Sequence, residues 1–545
     1  MNKATAAPSE GQVVLRVDGL SVGFGGQPVT HGVSFDLRAG QTTALVGESG
    51  SGKSLTASAI MGLLPPAGEV VSGCVTDGTG LPWVAVGEPL RTPLGRGAAM
   101  VFQDPMSSLN PSMRVGDQVA EGPRFHQGIS RAEARLRVEA LFEEVELPDP
   151  GVTFEKYPHE LSGGQKQRVM IALALAGEPR VLIADEPTTA LDVTVQKAVL
   201  DLLARLQSRR GLAMLFITHD LDVVADIADQ VLVMRSGRVV EAGLAGQVLA
   251  QPQTQYTKDL LAAHELRQAL PALTPDGTAL IAVRNLTKSF VTDRDFLGRP
   301  RKRFTAVRGV SLAIQRGERV GLVGESGSGK STIGRLMLGM EWPDDGDILL
   351  EGRAVDLRDG QAANAMRRMA QLVFQDPFSA LNPRMTIGDA LREVLKWHGH
   401  PESDAAQLLE EVGLSATDLN KRPGDFSGGQ RQRIVIARAL AVRPVFLVLD
   451  ESVAALDAHI QREILDLLER LGDERGLTYL FISHDLGVVA SFCPRVVVLR
   501  NGEVVGEGAT AAVWSGPQHP YTRALLESRP GREPGQTSTR ASSLS

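Results

Sequence analysis

Two glycine-rich segments of identical sequence have the composition of phosphate-binding loops. Gly47–Ser54 and Gly324–Ser331 both read Gly-Glu-Ser-Gly-Ser-Gly-Lys-Ser. Glycines let successive backbone N–H groups converge on an anion, the lysine adds a full positive charge, and the final serine is suited to bind Mg²⁺. We therefore predict two nucleotide-phosphate sites. The predicted binding residues are Gly47, Ser49, Gly50, Ser51, Gly52, Lys53 and Ser54 in the first loop and Gly324, Ser326, Gly327, Ser328, Gly329, Lys330 and Ser331 in the second.

An aspartate–glutamate pair ends an apolar run of four or five residues in each half, at Asp185-Glu186 and at Asp450-Glu451. A continuous apolar run is typical of a central parallel strand that is covered on both faces. At the carboxyl end of such a strand, we expect the aspartate to hold the Mg²⁺ shell and the glutamate to deprotonate the attacking water. His219 and His484 follow similar apolar runs, and we expect both to face the γ-phosphate.

A Ser-Gly-Gly-Gln motif opens a predicted helix in each half. The serine is a good helix N-cap, and the glycines allow an anion to approach the exposed N–H groups. Since each half already holds one phosphate loop, we expect this second motif to complete the site of the other half. Its residues are Ser162, Gly163, Gly164, Gln165, Ser427, Gly428, Gly429 and Gln430.

The elements that must position these groups occur twice, because the chain is an internal repeat. The separation between Ser162 and Ser427 recurs unchanged between the two acidic pairs and between the two histidines. The phosphate loops are separated by a longer stretch of chain, so insertions lie between fixed motifs, as surface loops tolerate. A short buried strand is predicted before each phosphate loop and a helix after it, starting near Lys53 or Lys330.

Length and composition limit the classes that fit. A chain of 545 residues corresponds to several domain-sized units, and its net charge of −7 argues against a nucleic-acid-coating protein. The two cysteines, Cys74 and Cys493, are too far apart for a zinc ribbon, and they fit a reducing cytosol. We expect no secretory signal and no membrane span, because no apolar stretch approaches about 18 residues.

In order and in duplicate, these motifs resemble those of the ATP-binding cassette (ABC) family, over roughly residues 12 to 528. The resemblance implies an α/β fold of two tandem nucleotide-binding domains. Each would have a P-loop core with a mostly parallel sheet, an antiparallel β subdomain and a helical signature subdomain. The implied domains are a flexible N-terminus (1–11), domain 1 with a C-terminal extension (12–264), a linker (265–279), domain 2 with its extension (280–528) and a disordered tail (529–545).

The family resemblance also implies ATP and Mg²⁺ as ligands and assigns further roles. Gln103 and Gln375 match the glutamine that contacts Mg²⁺ and the γ-phosphate, and Phe24 and Phe290 match the aromatic residue that stacks on adenine. In that family two cassettes join head to tail. Lys53 would then share a site with Ser427–Gln430, and Lys330 with Ser162–Gln165.

A narrower resemblance is to the ATPases of dipeptide, oligopeptide and nickel importers. It is carried by the segments 102–111 and 374–383 and by Pro252-Gln-Thr-Gln-Tyr-Thr257 and Pro517-Gln-His-Pro-Tyr-Thr522. This resemblance implies a peripheral protein on the cytoplasmic face of the cell membrane. Its partners would be two permease subunits and, through them, an extracytoplasmic substrate-binding protein, with no nucleic acid.

Two further expectations concern the surface. Met106, Leu109, Phe378 and Leu381 follow the two glutamines and are expected to receive the permeases. About 11 extra residues in the second half, Asp293–Arg303, carry five basic side chains. We expect a solvated charged loop there, with contacts to lipid headgroups, a partner or nucleic acid as the alternative.

Two other functions stay open at the level of the sequence. A soluble tandem-cassette ATPase that acts on ribosomes would carry the same two sites, although that class usually has a longer, charged linker. An exporter ATPase with separate permeases also fits. A DNA-repair ATPase of the superfamily is disfavoured, because zinc-ligand cysteines and inserted DNA-binding domains are absent from the sequence.

Overall fold

The computed structural model describes residues 11–87, 91–103, 108–188, 191–264, 279–294, 300–374, 376–453 and 456–528. The chain divides into two compact units near residue 264. Each unit combines an antiparallel sheet, a mostly parallel sheet and helices, which confirms the predicted α/β class. Gln375, almost all of the predicted linker and N-terminus and the whole predicted tail lie outside the described residues.

The first unit contains two sheets. Their strands are β1 (Val13–Phe24), β2 (Gln27–Pro28), β3 (Val33–Arg38), β4 (Thr42–Val46), β5 (Gly68–Asp77), β6 (Pro82–Ala85), β7 (Ala98–Val101), β8 (Val181–Asp185), β9 (Ala213–Thr218), β10 (Gln230–Arg235) and β11 (Arg238–Leu244). The antiparallel sheet has the order β2-β1-β5-β6, with β3 also paired to β1, and the second sheet has the order β11-β10-β4-β9-β8-β7. In the second sheet every neighbouring pair is parallel except β10 with β11.

The first helix of the first unit begins at Lys53, within the end of the phosphate loop, and the last helix lies in the C-terminal extension. Their bounds are Lys53–Met61, Val115–Gln127, Arg131–Glu144, Pro150–Phe154, Gly163–Leu175, Val193–Arg210, Leu221–Ile227, Ala245–Ala250 and Gln255–His264, with a 3₁₀ turn at Pro158–Glu160.

The second unit has the same two kinds of sheet. Its strands are β12 (Ala279–Arg294), β13 (Pro300–Gln315), β14 (Arg319–Val323), β15 (Asp345–Leu350), β16 (Arg353–Ala354), β17 (Ala370–Val373), β18 (Phe446–Asp450), β19 (Thr478–Ile482), β20 (Arg495–Arg500) and β21 (Glu503–Ala509). The antiparallel sheet has the order β13-β12-β15-β16, and the mostly parallel sheet has the order β17-β18-β19-β14-β20-β21.

As in the first unit, helices of the second unit begin at the phosphate loop, at the signature motif and in the C-terminal extension. Their bounds are Lys330–Met337, Gly360–Met369, Pro377–Ala380, Ile387–Trp397, Asp404–Glu411, Gly428–Leu440, Ala458–Arg475, Leu486–Phe492, Thr510–Ser515 and Pro520–Glu527, with 3₁₀ turns at Ala416–Asn420 and Pro423–Asp425. No helix in the described parts of the chain is long and apolar enough to cross a lipid bilayer.

The apolar runs predicted as central strands take those positions. All five residues of β8 are buried, and β8 pairs in parallel with β7 on one side and β9 on the other. One apolar cluster packs beneath the antiparallel sheet and includes Leu15, Leu45 and Ile183. The one polar residue of β8, Asp185, lies at its carboxyl end and is buried together with the four apolar residues.

The basic insertion corrects one expectation. The described ends of the insertion are strand and not irregular loop, since β12 runs to Arg294 and β13 starts at Pro300, with Val291 paired to Arg303. Arg301 and Arg303 are exposed, as a solvated segment predicts. Residues 295–299 lie outside the described part of the chain. Extending the ladder gives the inserted backbone groups hydrogen-bond partners, which a charged-run argument does not consider.

Candidate nucleotide-binding and hydrolysis sites

The first glycine of each phosphate loop lies where the neighbouring strand approaches most closely. A Cβ on Gly47 would lie 2.1 Å from the carbonyl oxygen of Met234, and one on Gly324 would lie 2.2 Å from that of Leu499. The two glycines have φ values of 148° and 153°, which few other residues adopt. Glycine is therefore required at both positions by sterics and by backbone conformation.

The remainder of each loop leaves space for an anion. A Cβ on Gly50 or Gly327 would meet no atom within 4 Å. The hydroxyl oxygens of Ser51 and Ser328 are buried and have no hydrogen-bond partner among the described residues. Because buried polar groups are normally paired, an open cradle with an unpaired hydroxyl fits the phosphate groups of a nucleotide.

Each loop lysine is buried and folded back onto the loop. Lys53 Nζ donates to the carbonyl oxygens of Gly47 at 2.7 Å and Glu48 at 2.9 Å. Lys330 makes the corresponding two contacts at 2.7 and 2.8 Å. Burial lowers the pKa of Lys330, although nearby carboxylates oppose the change. A buried ammonium group held by carbonyl oxygens is placed to gain from a phosphate ligand.

The loop serine and the strand aspartate form a hydrogen-bonded pair in each unit. Ser54 Oγ donates to Asp185 Oδ1 at 3.0 Å, and Ser331 Oγ donates to Asp450 Oδ1 at 2.9 Å. Burial raises the pKa of both aspartates, and the serine hydrogen bond opposes that rise. A hydroxyl oxygen and a carboxylate are hard oxygen ligands, so the donor set fits Mg²⁺.

The following glutamate turns out of the strand in a strained conformation. Glu186 and Glu451 have φ values of 47° and 49°, a left-handed conformation that costs non-glycine residues free energy and recurs at functional sites. Their backbone N–H groups donate to the carbonyl oxygens of Ile217 and Ile482, both at 2.9 Å. This bond ties the glutamate to the adjacent strand, just before the histidine.

Glutamate and histidine consequently meet in both units. Nδ1 of His219 lies 3.4 Å from Oε1 of Glu186, and Nδ1 of His484 lies 3.4 Å from Oε1 of Glu451. Burial acts to lower the pKa of each histidine, but the glutamate carboxylate outweighs it and the pKa is raised. Likewise, burial acts to raise the pKa of Glu451, and the partner His484 lowers it overall. The pair can hold a water molecule and accept its proton.

The glutamine predicted to sense the γ-phosphate reaches this pair in the first unit. Gln103 Nε2 donates to Glu186 Oε2 at 2.7 Å. Both carboxylate oxygens of Glu186 therefore have partners, one from the glutamine and one from the histidine. Gln375, its counterpart in the second unit, lies outside the described residues.

The signature motifs begin helices as predicted. Ser162 and Ser427 are N-caps whose Oγ atoms accept from the N–H groups of Gln165 and Gln430, at 3.3 and 3.4 Å. Each glutamine side chain accepts in return from the serine N–H at 3.1 Å, which completes a capping box. Ser162 and Ser427 are exposed, so each helix N-terminus is open to an anion on the side of its serine.

The glycines of the signature differ in their surroundings. A Cβ on Gly164 would lie 2.6 Å from Cγ1 of Val195, and one on Gly429 would lie 2.4 Å from Cγ2 of Ile460. Those positions need glycine for close helix packing. Gly163 and Gly428 have only one atom near the Cβ position, at 3.9 Å in each case, and these two remain available to a ligand.

The predicted adenine-stacking residues lie on the antiparallel sheets. Phe24 is the last residue of β1 and is 38% exposed, and Phe290 in β12 is 36% exposed. The Lys288 ammonium group lies 5.5 Å from the centre of the Phe290 ring. The structure thus joins the loop lysine, the serine–aspartate pair and the glutamate–histidine pair of each unit into one cluster, while the aromatic residue and the signature motif lie on separate elements.

Comparison with known protein families identifies the family to which the chain belongs. The profile described as "ABC transporter" matches residues 30–189 and 307–454, which include both phosphate loops and both acidic pairs. The chain belongs to the ABC transporter family. It is an ATP-binding, ATP-hydrolysing member with two cassettes in one chain. A second profile, described as "Oligopeptide/dipeptide transporter, C-terminal region", matches residues 505–544.

Relatives of known function match nearly the whole chain. The glutathione import ATP-binding protein GsiA of Escherichia coli strain K12 is 43% identical over 563 residues, which cover 96% of this chain and 90% of that protein. The GsiA protein of Shigella sonnei matches with the same identity and coverage. Among solved structures, a Clostridium perfringens component of the ABC transporter complex cbiONQ is 26% identical over 46% of this chain and 99% of that chain, with a TM-score of 0.39.

The expected permease-docking residues of this ABC protein need a correction. Leu109 and Leu381 are only 2% and 3% exposed, and each belongs to the apolar core of its unit. Met106 and the side chain of Phe378 lie outside the described residues. The turn-rich sequence suggested a surface loop, but packing against the helical part of the unit buries both leucines, so they cannot serve as exposed docking residues.

Two residues near the nucleotide sites escaped prediction from sequence. Tyr256 and Tyr521 belong to the C-terminal extensions, and their hydroxyl groups contact the phosphate loops at Glu48 and Glu325. The two tyrosines occupy corresponding sequence positions in the two halves, so the repeat includes them. No local sequence pattern, however, shows that the extension folds back onto the loop.

Proposed function

We propose that this chain energises an ABC importer for short peptides or peptide-like ligands, of which glutathione is the first candidate. The observation that carries the proposal is the resemblance to glutathione import ATP-binding proteins along 96% of the chain. The match of residues 505–544 to the C-terminal region of oligopeptide and dipeptide transporters supports the same ligand class. The duplicated arrangement of lysine, serine–aspartate pair and glutamate–histidine pair supports ATP hydrolysis in both units.

In this proposal each unit binds the phosphates of ATP with its glycine-rich loop and Lys53 or Lys330. Ser54 with Asp185, and Ser331 with Asp450, would hold Mg²⁺, which neutralises charge on the transferred phosphate. Glu186 or Glu451 then orients the attacking water and takes its proton. Since the carboxylate is already held by a histidine, little reorganisation is needed at that step.

His219 and His484 position the carboxylate and face the γ-phosphate in this scheme. A histidine with a raised pKa carries positive charge over a wider pH range, so it can stabilise both the carboxylate and the phosphate. Gln103 and Gln375 complete the Mg²⁺ contacts, and Phe24 and Phe290 stack on adenine, as the family resemblance implies. The head-to-tail pairing of Lys53 with Ser427–Gln430 also stays a prediction.

The proposed partners are two permease subunits, and the chain would dock on them at the cytoplasmic face of the membrane. A substrate-binding protein outside would deliver the ligand, because the cassettes themselves touch only ATP and the permeases. Because the cassettes do not contact the ligand in this proposal, the ligand must be identified by a transport assay.

The test is uptake in proteoliposomes that contain the co-purifying permeases, the binding protein and this chain. ATP-dependent uptake of radiolabelled glutathione, with dipeptides, oligopeptides and a nickel chelate as competitors, is the expected result. The E186Q/E451Q variant serves as the matched inactive control. Ribosome-stimulated ATPase activity without permease association would overturn the importer assignment and favour a soluble tandem-cassette ATPase.

A further inference from the structure

The C-terminal extension of each unit reaches the phosphate loop of that unit through a tyrosine. Tyr256 Oη accepts a hydrogen bond from the backbone N–H of Glu48 at 3.2 Å, and Tyr521 Oη accepts from that of Glu325 at 2.9 Å. The two tyrosines are only 6% and 5% exposed. They are two of the four tyrosines in the chain, and the same contact occurs in both units.

The peptide segment that the tyrosine holds also holds the loop lysine. The N–H group of Glu48 donates to Tyr256, while the carbonyl oxygen of Glu48 accepts from Lys53 Nζ at 2.9 Å. In the second unit, Glu325 is bonded in the same way to Tyr521 and to Lys330, at 2.9 and 2.8 Å. One residue of the loop therefore links the extension to the ammonium group that receives the nucleotide phosphates.

The ring of each tyrosine is fixed from a second side. The guanidinium carbon of Arg235, at the end of β10, lies 4.7 Å from the centre of the Tyr256 ring. Arg500, at the end of β20, lies 4.9 Å from the Tyr521 ring. This cation–π contact depends on the ring and not on the hydroxyl group, so a phenylalanine would keep the ring contact and lose the hydroxyl's bond to the loop.

The residues before the extension helix make different contacts in the two units. In the first unit Glu241 accepts from the N–H groups of Gln253 and Thr254 at 2.7 and 3.0 Å. In the second unit the equivalent of Glu241 is Gly506, and the N-cap residue His519 accepts at Nδ1 from the N–H of Tyr521 at 3.1 Å. The shared feature is therefore the hydrogen bond between tyrosine and phosphate loop, and not these other contacts.

We propose that Tyr256 and Tyr521 are positioning residues for the phosphate loops, and that the C-terminal extension thereby sets the affinity of each site for ATP. Glycines leave the loop few side chains with which to anchor itself, so a hydrogen bond from outside the loop fixes the peptide that carries the lysine contact. The inference rests on ATP binding by this ABC protein and is independent of which ligand is imported.

The test compares the full-length Y256F/Y521F double variant with Y479F. Tyr479 is fully buried and its hydroxyl donates to the carbonyl oxygen of Leu468 at 2.7 Å, away from the phosphate loop. Both variants lose buried phenol hydrogen bonds, so Y479F controls for stability. The measurements are the Kd for a fluorescent ATP analogue, the KM and kcat for ATP, and the thermal unfolding midpoint.

We expect Kd and KM to rise about three- to tenfold in Y256F/Y521F, which corresponds to one net hydrogen bond per site. At saturating ATP, kcat should change less than about twofold because the glutamate and histidine are untouched. Y479F should lower the unfolding midpoint and leave Kd and KM unchanged. Wild-type affinity in the double variant, or an equal rise in Y479F, would overturn the proposal.

Should the double variant fail to fold, the single variants provide the same test. Y256F and Y521F are each expected to broaden the binding curve and raise its midpoint, because half of the sites are weakened about three- to tenfold. A single step at wild-type affinity in both would contradict the proposal. Transport plays no part in these readouts, so failure of the importer assignment would leave their interpretation unchanged.

Discussion

Replacing both site glutamates by glutamine tests the hydrolysis mechanism most directly. In the E186Q/E451Q variant the shape of the side chain and the left-handed backbone conformation are retained, since glutamine tolerates φ values of 47° and 49° no worse than glutamate does. The amide loses the negative charge and the basic oxygen. Removal of a positioned general base slows catalysis by about 10²- to 10⁴-fold, or about 3 to 5 kcal/mol of activation free energy.

ATP binding should survive this change, because the groups that bind phosphate are separate from the base. The hydrogen bonds from Lys53 to the carbonyl oxygens of Gly47 and Glu48, and the Ser54–Asp185 hydrogen bond, do not use Glu186. The glutamine oxygen can still accept from Gln103, which donates to Glu186 Oε2 at 2.7 Å. We therefore expect MgATP affinity to be retained while turnover is almost lost.

The assay is steady-state ATPase activity together with equilibrium binding of a fluorescent ATP analogue, in the presence and absence of Mg²⁺. D185N/D450N is the matched comparison, because it alters the neighbouring carboxylates by the same chemistry. That variant should lose the Mg²⁺-dependent part of binding, since each aspartate pairs with the loop serine. Full ATPase activity in E186Q/E451Q, with intact ATP binding, would refute the assignment of the base.

Three further predictions concern four substitutions. S427R should block hydrolysis of ATP crosslinked at Lys53, as head-to-tail pairing requires; normal hydrolysis there would contradict that pairing. L109D and L381D should each lower the free energy of unfolding by about 3 kcal/mol or more, because both leucines are buried; urea titrations that match wild type would contradict their core position. Burial acts to raise the pKa of Glu241, but hydrogen bonds from the start of the extension helix lower it to about 2. A carboxylate with a lowered folded-state pKa stabilises the fold above its unfolded pKa and loses that effect as the pH falls. The stability difference between wild type and E241Q should therefore be full above about pH 4.5 and shrink towards about pH 2; a difference that grows on acidification would contradict this.

Local sequence was sufficient to predict those structural features that a few consecutive residues determine. The glycine-rich loops, the acidic pairs at strand ends and the capping serines of the signature are short patterns, because backbone conformation and capping depend on immediate neighbours. Their repetition in the same order predicted two similar units, and the family resemblance implied that each has an α/β fold. The strands β4 and β8 and the helices that begin at Lys53 and Gly163 lie where these patterns indicated.

Only the tertiary structure showed the burial, strand pairing and hydrogen bonds that involve residues distant in the chain. Leu109 and Leu381 are in turn-rich segments, and only the packing of other helices shows that they are buried. Residues 300–303 of the basic insertion are strand because pairing with β12 gives their backbone groups hydrogen-bond partners. The bond between Tyr256 and Glu48 joins residues 208 positions apart, and such a contact follows from the path of the whole extension and not from any local preference.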